Sequence, residues 1–195
     1  MDFEVVKQLV LGKLASDLNE NLTYHCVEHT LDVLESAQRL AKMEGVNGHD
    51  LQLIKTAALL HDLGFLESYM GHENISIRMA GELLPGYGYS EEDIKKIQGM
   101  IRSTQIPQNP TNKLEEILAD ADLDYLGRED LFLIGQRLQY EWKMHGFISS
   151  LKEWHEKQLA FLKAHKYHTD AAKELRTAKK KENIDEIERL LCLKK

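Results

Sequence analysis

One stretch constrains the fold more than any other. Between residues 24 and 43 the charged side chains Glu28, Asp32, Glu35, Arg39 and Lys42 recur at steps of four, three, four and three. On a helix turning roughly 100° per residue they form one narrow polar stripe. Val27, Leu31, Val33, Leu34, Ala37, Leu40 and Ala41 cover the rest of the circumference, so the helix is expected to be enclosed on most sides by other helices. His29 falls on the enclosed arc with Val33 and Leu40, and His25 sits one turn earlier, at its edge.

The same periodicity runs along the chain. It predicts helices over about 2–18, 24–43, 50–62, 73–84, 90–102, 112–122, 129–145, 148–165, 170–181 and 184–193. Gly45, Gly64 and Pro85-Gly86 supply stops. Ser90 with Asp93 matches a capping box, and Thr169 and Asn183 are candidate N-caps. Residues 105–110 read as a loop. Only three prolines interrupt the 195 residues, as suits a chain built from helices, and no segment alternates as a strand does. The expected fold is all-α. It divides into a core over 1–127 and a C-terminal helical extension over 128–195 packed on it, with Trp142, Trp154, Phe161 and Leu162 read as core side chains of the extension.

Charge and cysteine content narrow the function classes. Residues 1–140 hold 12 Lys/Arg against 23 Asp/Glu, a balance of −11; residues 141–195 hold 13 against 9, a balance of +4. The net charge of −7 disfavours binding to a nucleic-acid backbone, and the Lys179-Lys180-Lys181 run reads as a solvated helix face. No apolar run reaches the ~18–20 residues of a bilayer span, and the N-terminus lacks the pattern of a signal peptide. Cys26 and Cys192, the only cysteines, are read as small buried hydrophobes in a reducing compartment, which makes the expected location cytoplasmic and the Asn21-Leu22-Thr23 sequon irrelevant.

Against that background nine histidines stand out, because imidazole is the commonest metal ligand and acid–base group. Ile54, Ala57, Ala58 and His61 lie on one helical face, so His61 extends an apolar stripe, and Asp62 follows it directly. A buried unpaired carboxylate is costly. A His-Asp pair at the end of an apolar helix therefore calls for a compensating partner, and a metal ion is one.

Three segments complete the pattern: Tyr24-His25-Cys26-Val27-Glu28-His29-Thr30, Leu59-Leu60-His61-Asp62-Leu63-Gly64 and Leu118-Ala119-Asp120-Ala121-Asp122-Leu123-Asp124. Their order and spacing, over roughly residues 20–127, resemble the HD-domain superfamily of metal-dependent phosphohydrolases. The resemblance implies an HD-domain-like helical bundle, with the additional helices at its C-terminal end. It implies His29, His61, Asp62 and Asp122 as metal ligands. Ala121-Asp122-Leu123 matches the last family motif best, with Asp120 as runner-up and candidate outer carboxylate. Such a nitrogen–oxygen donor set suits one divalent ion of Mn, Fe, Co, Ni, Zn or Mg, which would activate a bound water and polarise a phosphoryl group.

The resemblance also assigns roles around the metal. His25 occupies the place where the phosphodiesterase branch keeps a general acid, and it can equally be a partly buried histidine bonded to a nearby carboxylate. His72 and Glu73 would line the site, assist catalysis or hold a second metal bridged by Asp62, although the further paired histidines of dinuclear members are missing. Arg78 and Arg102 are candidate phosphate ligands, each with a surface ion pair as its alternative. His49, His145, His155, His165 and His168 read as structural or solvated. The implied activity is hydrolysis of a phosphate monoester or diester of a nucleotide or small metabolite, with no nucleic-acid polymer or membrane as partner. The extension would shape the pocket or a homodimer contact. The alternatives are a regulatory module that binds metal or nucleotide without turnover and, with fewer histidines than it needs, a di-iron oxygenase.

Overall fold

The computed structural model describes residues 1–192. Among them it contains nine α-helices and no strand: α1 (Phe3–Asp17), α2 (Val27–Met43), α3 (Gly48–Leu60), α4 (His72–Leu83), α5 (Glu91–Thr104), α6 (Lys113–Asp122), α7 (Leu131–Met144), α8 (Leu151–Ala164) and α9 (Asp170–Cys192). Short 3-10 turns at Leu63–Leu66, Leu84–Tyr87 and Asp124–Gly127 follow α3, α4 and α6. The chain is all-α.

The enclosed helix behaves as its stripe requires. α2 packs against α3 and α6, and α3 in turn packs against α5. Val33, Ala37, Leu40 and Ala41 are buried in the core with Leu53, Ile54, Leu60, Ile97 and Leu118. Leu31 departs from expectation: it lies beside the polar stripe and is 39% exposed. Ser90 and Asp93 form the capping box of α5 in both directions. Thr169 caps α9, accepting from the Ala172 N–H.

A second apolar cluster joins the two ends of the chain. Leu131, Leu162 and Ile187 from α7, α8 and α9 pack with Tyr24, Leu123, Tyr125 and Leu126. α9 is one continuous helix, not two, and Asn183 caps nothing. Its buried amide instead donates to the carbonyls of Leu126 and Arg128, so it ties α9 to the turn after α6. Lys180 is likewise no solvated lysine, for its ammonium is buried against the His165 carbonyl and ring. Cys26 is half-buried, but Cys192 is exposed, since it ends α9 where nothing packs over it. No described helix is long and apolar enough to cross a membrane.

Candidate metal centre

Three helix termini deliver the site. His29 stands in the first turn of α2, His61 and Asp62 follow α3, and Asp122 ends α6. Gly64 lets the doublet sit close to α4. A methyl group on Gly64 would lie 2.0 Å from the His72 carbonyl oxygen, so only glycine permits this approach. The Gly64 N–H then donates to the buried Ser76 hydroxyl at 2.8 Å, which locks the turn onto α4.

The donor atoms converge. His29 Nε2 and His61 Nε2 are 3.4 Å apart. Asp62 Oδ2 lies 3.3 Å from the first and 3.1 Å from the second. Asp122 Oδ1 lies 3.3 and 3.5 Å from them. Ligands about 2.1 Å from one ion are roughly 3.0–3.4 Å apart at octahedral or tetrahedral angles, close to these separations, and His29, His61 and Asp122 form the group whose donor atoms all lie within 4.8 Å of one another. His61 Nδ1 donates to the Ala58 carbonyl at 2.8 Å, which fixes the tautomer with the Nε2 lone pair turned inward. Asp62 Oδ2 is buried and aligned for a hydrogen bond with nothing. An orphaned carboxylate oxygen beside two inward nitrogens fits a divalent cation.

The electrostatics point the same way. Burial alone pushes the Asp62 and Asp122 carboxyls up, yet the imidazoles beside them outweigh it and hold both below the usual range. Burial disfavours the charged imidazoles, but the two carboxylates raise both His29 and His61 above the ordinary histidine value. Positive charge is favoured at this point, whether protons or a metal supply it.

The neighbouring aspartates are committed elsewhere. Asp120 accepts from the backbone N–H groups of His168 and Thr169 and from the Thr169 hydroxyl, all at the start of α9. Asp124 is fully enclosed and binds Arg39 of α2 and Arg176 of α9. Alternation along the end of α6 thus separates one ligand candidate from two structural carboxylates.

Beside the donor set lies a cavity of about 290 Å³, at the small end of the ~300–1,000 Å³ typical of ligand sites. Asp62, Asp122, His25, His72 and Glu73 line it, and so do Trp142, Trp154 and Phe161; Trp154 is also core at 5% exposure and Phe161 packs against the second apolar cluster, as expected. His25 and His72 flank the Phe65 ring, stacked on it at centroid distances of 4.1 and 3.9 Å. His72 Nδ1 donates to the Tyr69 carbonyl, leaving Nε2 3.6 Å from both Asp62 Oδ1 and Glu73 Oε1.

Sequence reasoning missed Glu141 of α7. Its side chain is fully buried and accepts from His25 Nδ1 at 2.5 Å, from the Tyr69 hydroxyl at 2.9 Å and from the backbone N–H groups of Tyr24 and His25. Burial raises the Glu141 carboxyl, but these donors outweigh it and hold it below the usual carboxylate range. Nothing local in the sequence marks a partner 116 positions from His25.

Two expected residues do not reach the cavity. Arg78 is exposed and paired with Glu67 and Glu82. It follows His72 by six residues, roughly 240° around the helix, which turns it away from the cleft. Arg102 is exposed near the end of α5, while Thr104, two residues on, lines the cavity from the other side of the helix.

Comparison with known proteins agrees with this geometry. No curated protein sequence matches the chain. Three solved structures share the fold over nearly the whole length. A predicted HD superfamily hydrolase from an uncultured Thermotogales bacterium is 20% identical, with a TM-score of 0.64 over 96% of this chain and 92% of its own. A Lactobacillus plantarum protein is 22% identical, with a TM-score of 0.68 over 98% and 97%. Bacillus subtilis YpgQ in complex with ADP is 18% identical, with a TM-score of 0.67 over 96% and 95%. The HD-domain profile matches residues 26–124, which span every donor atom described above, and the chain belongs to the HD-domain family.

Proposed function

We propose that this protein is a divalent-metal-dependent phosphohydrolase acting on a phosphate monoester or diester of a nucleotide or small metabolite. The observation that carries the reading is the orphaned Asp62 oxygen beside two inward imidazole nitrogens, at the wall of a ligand-sized cavity. His29, His61, Asp62 and Asp122 would hold the cation, one of Mn, Fe, Co, Ni, Zn or Mg. When bound, the cation supplies Lewis-acid chemistry, activating water and drawing charge from a phosphoryl oxygen.

The chain's own groups do the rest. With Nδ1 engaged by Glu141, His25 keeps Nε2 to give a proton to the leaving oxygen. Glu141 fixes the ring's orientation and its tautomer. Phe65 holds the His25 and His72 rings at a set spacing. His72 Nε2 lies between the outer oxygen of Asp62 and Glu73, where the three groups can steady one another or take part in a second cation site. Arg78 and Arg102 stay outside this scheme. The ADP held by the B. subtilis neighbour supports a nucleotide among the substrates. The extension over 128–195 would shape the cavity through α7 and α8 or supply a homodimer contact; the free cysteines suit a cytoplasmic location.

A screen of phosphomonoesters, phosphodiesters and nucleotides with Mn²⁺, Co²⁺ and Ni²⁺ tests the reading. Turnover lost in His61→Ala supports it. Tight nucleotide binding with no turnover of any ester under any metal would replace it with a regulatory module.

A further inference from the structure

Tyr69 reaches both histidines that flank the cavity, through different atoms. It lies in the turn that follows the 3-10 segment Leu63–Leu66 and leads into α4. Its hydroxyl donates to Glu141 Oε1 at 2.9 Å, the same oxygen that accepts from His25 Nδ1 at 2.5 Å. Its backbone carbonyl accepts from His72 Nδ1 at 3.0 Å. A carbonyl and an ionised carboxylate can only accept, so each imidazole carries a hydrogen on Nδ1 and keeps Nε2 for other partners.

The hydroxyl completes the surroundings of Glu141. A carboxylate offers about four acceptor positions. Glu141 Oε2 takes the backbone N–H groups of Tyr24 and His25 at 3.1 and 3.2 Å, and Oε1 takes His25 Nδ1 and the Tyr69 hydroxyl. Without that hydroxyl the imidazole is the sole donor to one oxygen of a fully buried carboxylate, and a contact that sets the carboxylate plane is gone. Burial and the Glu141 charge push the Tyr69 phenol well above its ordinary value, so it stays a neutral donor. The Tyr69 ring is itself held. It meets Phe65 edge to face at 5.2 Å and packs on His145 and Phe147, from the connection between α7 and α8, at 4.2 and 5.3 Å. Phe65, stacked on both imidazoles, sets their spacing, and Tyr69 is placed to set their rotation.

We propose that Tyr69 is the positioning residue for both imidazoles: its hydroxyl orients His25 through Glu141, and its backbone carbonyl orients His72 directly. The role rests on the phosphohydrolase reading only for the proton that His25 gives; the orientation of the two rings is independent of it. Tyr69 touches no reacting atom, so its loss acts on the chemical step through His25 and leaves substrate binding nearly as it was.

Tyr69→Phe separates the two contacts, because it removes the hydroxyl and keeps the ring and the carbonyl. The full chain, labelled at its histidine nitrogens and free of paramagnetic ions, is studied by proton–nitrogen NMR, with His25→Gln and His72→Gln assigning the signals. In the parent each of the two rings, when neutral, should hold its proton on Nδ1. In Tyr69→Phe the His25 Nδ1–H signal should move while that of His72 stays, and kcat should fall about three- to ten-fold with KM within a factor of about two. A parent in which either neutral ring holds its proton on Nε2 overturns the proposal even if Tyr69→Phe does not fold. A folded Tyr69→Phe in which the His25 signal is unchanged overturns it too, as does one in which both imidazole signals move together, the mark of a merely loosened turn. Unchanged kcat in an active protein overturns it while leaving the phosphohydrolase reading intact. A selective His25 shift in a protein that turns over no ester keeps the positioning role and sinks the phosphohydrolase reading alone.

Discussion

His25 donates through Nδ1 to Glu141, a fully buried carboxylate contributed by α7, far along the chain from the metal-binding segments. The contact joins the C-terminal helices to the candidate metal centre. It also reconciles the two roles that His25 could have: it is bonded to a carboxylate, and it lines the cavity with its other nitrogen unassigned.

Removing the charge of that carboxylate should slow the chemical step more than it weakens binding. Glu141→Gln keeps the shape but replaces the carboxylate that holds the His25 ring through Nδ1 with a weaker amide acceptor, so kcat should fall at least about ten-fold with KM within a factor of about three. Glu141→Asp should recover part of the loss. The two variants are compared by steady-state kinetics, with the melting temperature confirming the fold; an equal fall in kcat and in thermal stability across both variants would mark Glu141 as purely structural.

Metal uptake should release protons. In the metal-free protein burial works against the His29 imidazolium, but the Asp122 and Asp62 carboxylates beside it outweigh it and push the group up to about 9. A ligating imidazole must be neutral. Binding near pH 7 should therefore release about one or two protons per ion, and affinity should climb as pH rises toward 9. Calorimetry in buffers of different ionisation enthalpy counts the protons; heats independent of buffer contradict the prediction. The sign for the metal-free fold is the reverse. A raised folded value stabilises fully below the ordinary imidazole value of ~6.5 and is lost as pH rises through about 9, so chelator-treated protein should melt lower in mild alkali.

Gly64→Ala places a methyl group against the His72 backbone, and no side-chain rotation relieves it. The turn carrying His61 and Asp62 must move away from α4. We expect a loss of about 1–3 kcal/mol in chemical denaturation, together with weakened metal binding. A variant with unchanged stability and metal affinity would show that the turn yields freely.

Asp124→Ala leaves Arg39 and Arg176 without their shared acceptor and opens the joint between α2, α9 and the turn after α6. Breaking such an enclosed pair costs about 3–5 kcal/mol. Urea denaturation measures it; a loss under about 1 kcal/mol would mean that solvent replaces the carboxylate.

The helices were legible because each carries its own periodic record, and α5 and α9 begin where Ser90 and Thr169 announce a cap. The proposed donor residues stand out in the sequence because each sits in a short local motif whose pattern repeats in a family, and the fold brings those motifs together. What was not legible depends on packing between distant segments. Trp142 and Trp154 look the same in sequence whether they only fill a core or also wall a cavity, and only the placement of α7 and α8 decides. Glu141 carries no local signal, for its partners Tyr24, His25 and Tyr69 lie on segments that the fold brings to it. Asn183 shows the limit of cap chemistry: the same amide that can start a helix also serves inside one when two stray carbonyls need a donor. Arg78 takes the surface ion pair that the sequence left as its alternative, because six residues from His72 is roughly 240° around the helix.

The central claim is that His29, His61, Asp62 and Asp122 hold a divalent ion. Elemental analysis of the purified chain after loading with Mn²⁺ and removal of free metal tests it most directly, with Asp62→Asn and the surface variant Arg78→Ala measured alongside. The account predicts about one ion or more per chain in the parent and in Arg78→Ala, and a background level in a folded Asp62→Asn. A parent chain that retains no metal, or an Asp62→Asn chain that retains as much as the parent, would contradict it.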